Sequence, residues 1–65
     1  MWVRYMDGPA DGEQRELDLS VALPSLYWTD RSGNHAESAI YRRQAPAPDD
    51  PTVWLYRYDA PLPRP

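Results

Sequence analysis

Trp2-Val3-Arg4-Tyr5-Met6-Asp7-Gly8-Pro9-Ala10-Asp11-Gly12-Glu13-Gln14-Arg15-Glu16-Leu17-Asp18-Leu19 reads as a β-hairpin. The first arm carries large apolar groups around Arg4, and the middle holds two Asp-Gly steps. In the second arm Leu17 and Leu19 alternate with Glu16 and Asp18, the period-2 pattern of a half-buried strand. This is a signal of structure, and nothing elsewhere in the chain points as clearly to chemistry.

Working outward, Val21-Ala22-Leu23-Pro24-Ser25 is apolar but interrupted by a proline that cannot donate to an inner ladder, which predicts a connector or an edge. Leu26-Tyr27-Trp28-Thr29 has high β propensity, and Asp30-Arg31-Ser32-Gly33-Asn34 is rich in turn formers. A second hairpin is therefore expected, with Glu37 to Arg43 as its return arm. In that arm Ala39 and Tyr41 share one face, and Ile40 and Arg42 the other. Ala45 to Pro51 contains three prolines and predicts a stiff loop. Thr52-Val53-Trp54-Leu55-Tyr56-Arg57-Tyr58 is the best single strand, with an aromatic stripe at 54, 56 and 58. The best place for a single helical turn is within residues 34 to 39. The expected fold is all-β: a small antiparallel meander or open barrel of four to five strands with at most one short helical turn. Residues 1–59 form one domain, and residues 60–65 are expected as a proline-rich polyproline-type tail.

Composition bounds the function. A chain of 65 residues has room for one small domain. Such a domain buries about 60% of its unfolded surface. Set against an ordering cost of about 1.5 kcal/mol per residue, that leaves little net stability. There is no cysteine, so disulfides and thiolate metal sites are excluded. A second copy or another protein is the remaining support. Three Trp and five Tyr compensate for the complete absence of Phe, since each ring buries a large area for few rotatable bonds. The formal net charge of -3 repels phosphate backbones. No apolar run approaches the ~20 residues of a bilayer span, and no charged leader precedes an apolar segment. A location in the cytoplasm of a host cell or in a virion is expected, with no membrane partner.

All seven basic residues are Arg, and Ala, Pro and Asp are plentiful, which reads as GC-rich coding. Tyr5-Met6-Asp7-Gly8-Pro9-Ala10-Asp11-Gly12 resembles the Tyr-x-Gly-Gly-Pro-x-Asp-Gly start of small uncharacterised proteins from actinobacteria and their phages. Members of that group often carry a later Tyr-containing strand, as Ile40-Tyr41-Arg42 and Tyr56-Arg57-Tyr58 do here. The resemblance covers the opening turn and departs from the pattern at Asp7, where the first glycine usually sits. It implies a bacterial or phage origin and a hairpin, without implying an activity.

Several motifs invite chemical readings. Ser32-Gly33-Asn34-His35 spells out a hydrolase set, but a nucleophile, base and oxyanion donors must surround one reacting atom, which adjacent turn residues cannot do. His35 is the single histidine and has no companion for a transition-metal site. Asp7, Asp11, Gly12 and Asp18 fall on a calcium-loop spacing, yet Pro9 takes a ligand position and no helices flank the loop. A hairpin accounts for the same residues. Asp49-Asp50 between prolines reads as a solvated loop. Pro61-Leu62-Pro63-Arg64-Pro65 lacks the Pro-x-x-Pro spacing of a groove ligand, while Pro48 and Pro51 have it but enclose two acids.

No catalytic set, metal site or cofactor is therefore expected. The leading expectation is a non-enzymatic protein-interaction module, encoded by a phage or prophage, that binds a protein partner or itself. Trp54, Tyr56 and Tyr58 are the expected interface residues, with Trp2 and Trp28 next, because Trp and Tyr dominate binding energy at interfaces. The alternative is a small barrel binding single-stranded nucleic acid through Tyr41, Arg42, Arg43, Tyr56, Arg57 and Tyr58, where cations interleave with rings. The acidic balance counts against it.

Overall fold

Both expected hairpins form in a computed structural model of the chain, which describes residues 1–30 and 37–62. Strand β1 (Trp2–Met6) leads through a 3-10 turn (Gly8–Ala10) into β2 (Gln14–Glu16). Strand β3 (Ser25–Asp30) pairs antiparallel with β4 (Glu37–Ala47), and β5 (Asp50–Pro61) completes the chain. The second hairpin's turn and the Ser32 to His35 motif lie outside the described residues. The five strands form one curled sheet, a half-barrel, in the order β2-β1-β5-β4-β3.

The connection is not a meander. Strand β1 pairs in parallel with β5, from Trp2 opposite Val53 to Met6 opposite Arg57. A meander would leave the most apolar strand at an edge. Placing β5 between β1 and β4 gives both of its sides a ladder and buries its aromatic face.

The expected stiff loop at 45–51 is also corrected. Strand β4 continues through Pro46 to Ala47, turns at residues 48 and 49, and returns as β5 from Asp50. Register shifts between Arg43 and Pro46 and between Pro46 and Ala47 absorb the missing donor. The β3 side of β4 ends at Arg43, whose N–H donates to the Pro24 carbonyl at 3.0 Å, so Pro46 has an open side where no donor is needed. At the other end Ala60 and Pro61 pair with Ile40 and Ala39, and the Leu62 N–H donates to the Ser38 carbonyl at 2.9 Å. The start of the expected tail therefore belongs to the sheet.

The helical turn sits at Gly8–Ala10, where Pro9 supplies a preset φ near the start of the turn. Glu37 to Ala39, where one was expected, are strand. Strand β2 stops at Glu16. Leu17 still exchanges hydrogen bonds with Met1 at both its N–H and its carbonyl, each 2.8 Å, and Leu17 and Leu19 pack against the core.

The inner face of the curl is the core. Val3, Tyr5, Ala10, Leu26, Trp28, Ala39, Tyr41 and Tyr56 are buried there, with Met1, Leu17, Leu19, Trp54 and Tyr58 packed against them. The register explains the set: Val3 lies opposite Trp54, Tyr5 opposite Tyr56, Tyr41 opposite Tyr58, and Leu26 opposite Tyr41. The Tyr5 and Tyr41 rings meet edge to face at 4.8 Å, and the Tyr41 and Tyr58 rings do so at 5.8 Å, the geometry favoured by ring quadrupoles. No buried side chain among the described residues is charged.

Candidate functional site

Two phenols of the core, Tyr41 and Tyr56, hold the chain's loops through their hydroxyls. The Tyr41 hydroxyl donates to the Asp7 carbonyl at 2.7 Å and accepts the Ala10 N–H at 2.9 Å, clasping the 3-10 turn from both sides. The same loop closes on itself. The Gly12 N–H donates to the Tyr5 carbonyl at 2.9 Å, the Tyr5 N–H donates to the Glu13 carbonyl at 2.9 Å, and the Asp7 N–H donates to Asp11 Oδ1 at 2.7 Å. Burial pushes the Tyr41 phenol above its ordinary pKa despite the Ala10 hydrogen bond, and burial raises Tyr5 and Tyr56 as well. The Tyr5 to Gly12 motif is thus a folded clasp. Asp11 uses its carboxylate within it, whereas Asp7 turns its carboxylate outward, where Oδ2 accepts from the Arg57 guanidinium at 3.1 Å.

Polar groups also fasten the connector between β2 and β3. Its carbonyls at Ala22, Leu23 and Pro24 accept from the Arg43 guanidinium, the Tyr56 hydroxyl and the Arg43 backbone N–H. The Arg43 guanidinium also lies over the Trp54 ring, 5.8 Å from its centroid. Glu13 bridges the two ends of the half-barrel, accepting the Trp28 indole N–H at 2.6 Å through Oε2 and Arg15 at 2.8 Å through Oε1.

These contacts fix where the sequence-predicted residues lie. Tyr56 and Trp28 are core, so neither presents a surface to a partner of the folded chain; alternation and register turn both inward. Trp54 and Tyr58 line the inner face and are half-buried. Only Trp2 among the five is exposed, at 41%. It stands on the outer face of β1 beside its register partner Val53. The Tyr/Arg set divides between faces. Tyr41 and Arg43 point inward, while Arg42 and Arg57 lie opposite each other on the outer face and pair with Asp59 at 3.0 Å and Asp7 at 3.1 Å. On the same molecule Arg4 forks onto Asp49 at 3.0 and 3.1 Å, which holds Asp49 below the ordinary carboxylate range. Thr52 does the same for Asp50, first through its hydroxyl and then through its N–H.

What remains unsatisfied is an edge. A curled sheet that does not close leaves two, and they differ. The β2 edge has three residues, Gln14-Arg15-Glu16, all exposed and mostly charged, the usual protection against strand pairing. The β3 edge has six, Ser25-Leu26-Tyr27-Trp28-Thr29-Asp30, with no proline, no lysine and no register shift. The bond from Arg43 N–H to the Pro24 carbonyl marks that pair as hydrogen-bonded. By alternation Leu26 and Trp28 bond to β4, whereas Ser25, Tyr27 and Thr29 turn their N–H and C=O groups away from it. The bond from Leu62 N–H to the Ser38 carbonyl agrees, because Ser38, opposite Thr29, faces β5. Among the described residues no backbone group accepts or donates at this edge. At its centre the Tyr27 side chain is 73% exposed, the most exposed large hydrophobic side chain among the described residues.

No known protein family, curated protein or solved structure matches the chain. The edge must therefore be read from its own chemistry. Tyr27 was grouped with Trp28 as one β-favouring segment by sequence. The signal that separates them is parity, because one residue's shift exchanges core for surface.

Proposed function

We propose that the chain is a non-enzymatic protein-interaction module that takes a protein partner by strand addition along β3. The observation that carries this reading is the six-residue edge with outward N–H and C=O groups at Ser25, Tyr27 and Thr29 and an exposed ring at its centre. Main-chain bonds supply affinity in this mode, and the outward side chains supply selectivity. The docking residues are then Tyr27 with Ser25 and Thr29, and of the aromatic set only Trp2, three strands away on β1, is exposed. The absence of lysine and the clasp motif support an origin in a phage or prophage of a GC-rich host, where such a module serves as a virion component or as a binder of a host protein.

Photo-crosslinking tests the reading. A benzophenone amino acid at Tyr27 should give protein adducts, while the same group at Glu16 on the short charged edge should not. No adduct at Tyr27, or equal yields at both edges, would remove it.

A further inference from the structure

We infer that the partner taken by β3 is a second copy of this chain, joined antiparallel across a two-fold axis at Tyr27. This rests on the strand-addition reading above and goes further by naming the occupant and the register.

The argument begins with the ladder. The outward residues Ser25, Tyr27 and Thr29 are evenly spaced about Tyr27. Setting Tyr27 opposite its own copy makes a hydrogen-bonded pair in which each residue satisfies the other's N–H and C=O. Ser25 then meets Thr29 of the second copy, and Thr29 meets Ser25, so every outward group along the strand has a partner. The isologous geometry is closed and produces a dimer, not a filament.

The side chains agree with the ladder. On the outer face the two Tyr27 rings come together, and the hydroxyl side chains of Ser25 and Thr29 stand opposite one another, a favourable cross-strand pair. On the inner face Leu26 falls opposite Trp28 of the copy, which continues one apolar face into the next. The strand's single charged residue, Asp30, falls opposite Pro24 of the copy, so the register brings no like charges together although the chain is acidic overall. The other edge has no such symmetry of charge. Pairing β2 with itself about Arg15 would place Arg15 against Arg15.

Light scattering after size-exclusion chromatography should show a concentration-dependent dimer of the wild-type chain at concentrations up to about 1 mM. Tyr27→Lys and Tyr27→Glu each set like charges directly opposite across the axis and should weaken the dimer about tenfold or more. Mixing the two should restore a 1:1 heterodimer, a result expected only if position 27 meets itself. Tyr27→Pro removes the outward donor without touching the β3–β4 ladder and should give a folded monomer by circular dichroism. A wild-type monomer throughout that range, or a dimer indifferent to all three substitutions, overturns the inference. A wild-type monomer whose Tyr27 crosslinks to a different protein overturns it while leaving strand addition standing; a monomer without adducts removes both.

Discussion

Tyr41, near the middle of β4, donates its hydroxyl proton to the backbone carbonyl of Asp7, 34 residues earlier in the chain, at 2.7 Å. One phenol thereby ties the N-terminal turn to the centre of the sheet. Tyr41→Phe keeps the ring and its edge-to-face contacts but leaves the Ala10 N–H without its acceptor. The expected loss is ~1–3 kcal/mol in urea denaturation, the cost of an unsatisfied buried donor. Hydrogen exchange at the Ala10 amide should accelerate by more than the global loss accounts for.

Gly8 and Gly12 both adopt positive φ, at 66° and 84°. They differ in what surrounds them. A Cβ on Gly8 would lie 2.4 Å from Tyr58 Cδ2, 2.6 Å from Tyr58 Cγ and 2.9 Å from the Tyr41 hydroxyl oxygen, whereas one on Gly12 would meet nothing. Tyr58 Cγ sits close to its own backbone and cannot swing clear. Gly12→Ala should cost only the backbone penalty, ~1–2 kcal/mol. Gly8→Ala should cost that plus an overpacking term of ~1–3 kcal/mol. Thermal denaturation of the pair isolates the contact with the Tyr58 ring.

Asp7 holds φ 65° and ψ 171°, a region open almost only to glycine. Asp7→Gly removes strain of ~1–3 kcal/mol. Against this stand a solvent-exposed ion pair worth at most ~1 kcal/mol and the added freedom of glycine in the unfolded chain, ~0.4–1 kcal/mol. The balance favours the glycine variant by about 1 kcal/mol, which would raise Tm by roughly 4–8 °C in a domain of this size. A lower Tm for Asp7→Gly would show that the Arg57 contact outweighs the backbone.

Alkaline pH should unfold the domain through its phenols. Tyr5, Tyr41 and Tyr56 have their pKa values raised by burial. The folded state holds these protons more tightly than the unfolded state does. Their stabilisation is whole below the unfolded tyrosine value of about 10 and is lost as pH rises through the higher folded values. Tyrosinate absorbance should therefore rise together with loss of the circular dichroism signal. Free titration of Tyr5, Tyr41 and Tyr56 in a chain that stays folded would contradict their burial.

The strands were legible because alternation and turn chemistry are local. Trp2 to Tyr5, Leu26 to Thr29 and Thr52 to Tyr58 all fall in strands, and the inward placement of Ala39 with Tyr41 follows from parity alone. The parallel pairing of β1 with β5 was not legible, because it depends on which edge offers the larger apolar face once the chain collapses. The prolines at 46 and 61 misled for a related reason: a missing donor matters only if a neighbour needs it, and both occur where the ladder is irregular or ends. The aromatic stripe of Trp54, Tyr56 and Tyr58 advertised an interface but supplies the core. The most exposed ring among the described residues belongs to Tyr27, whose orientation depends on hairpin register.

The pairing of residues 2–6 with residues 53–57 also has a kinetic side. Strand β1 precedes β2, β3 and β4 in the chain, so its parallel ladder forms only once β5 has also been made. Such long-range closure carries its entropy cost before any contact repays it and slows folding relative to a meander of equal size. During that interval the apolar first arm has no parallel partner, and a chain that stops before β5 cannot complete this sheet.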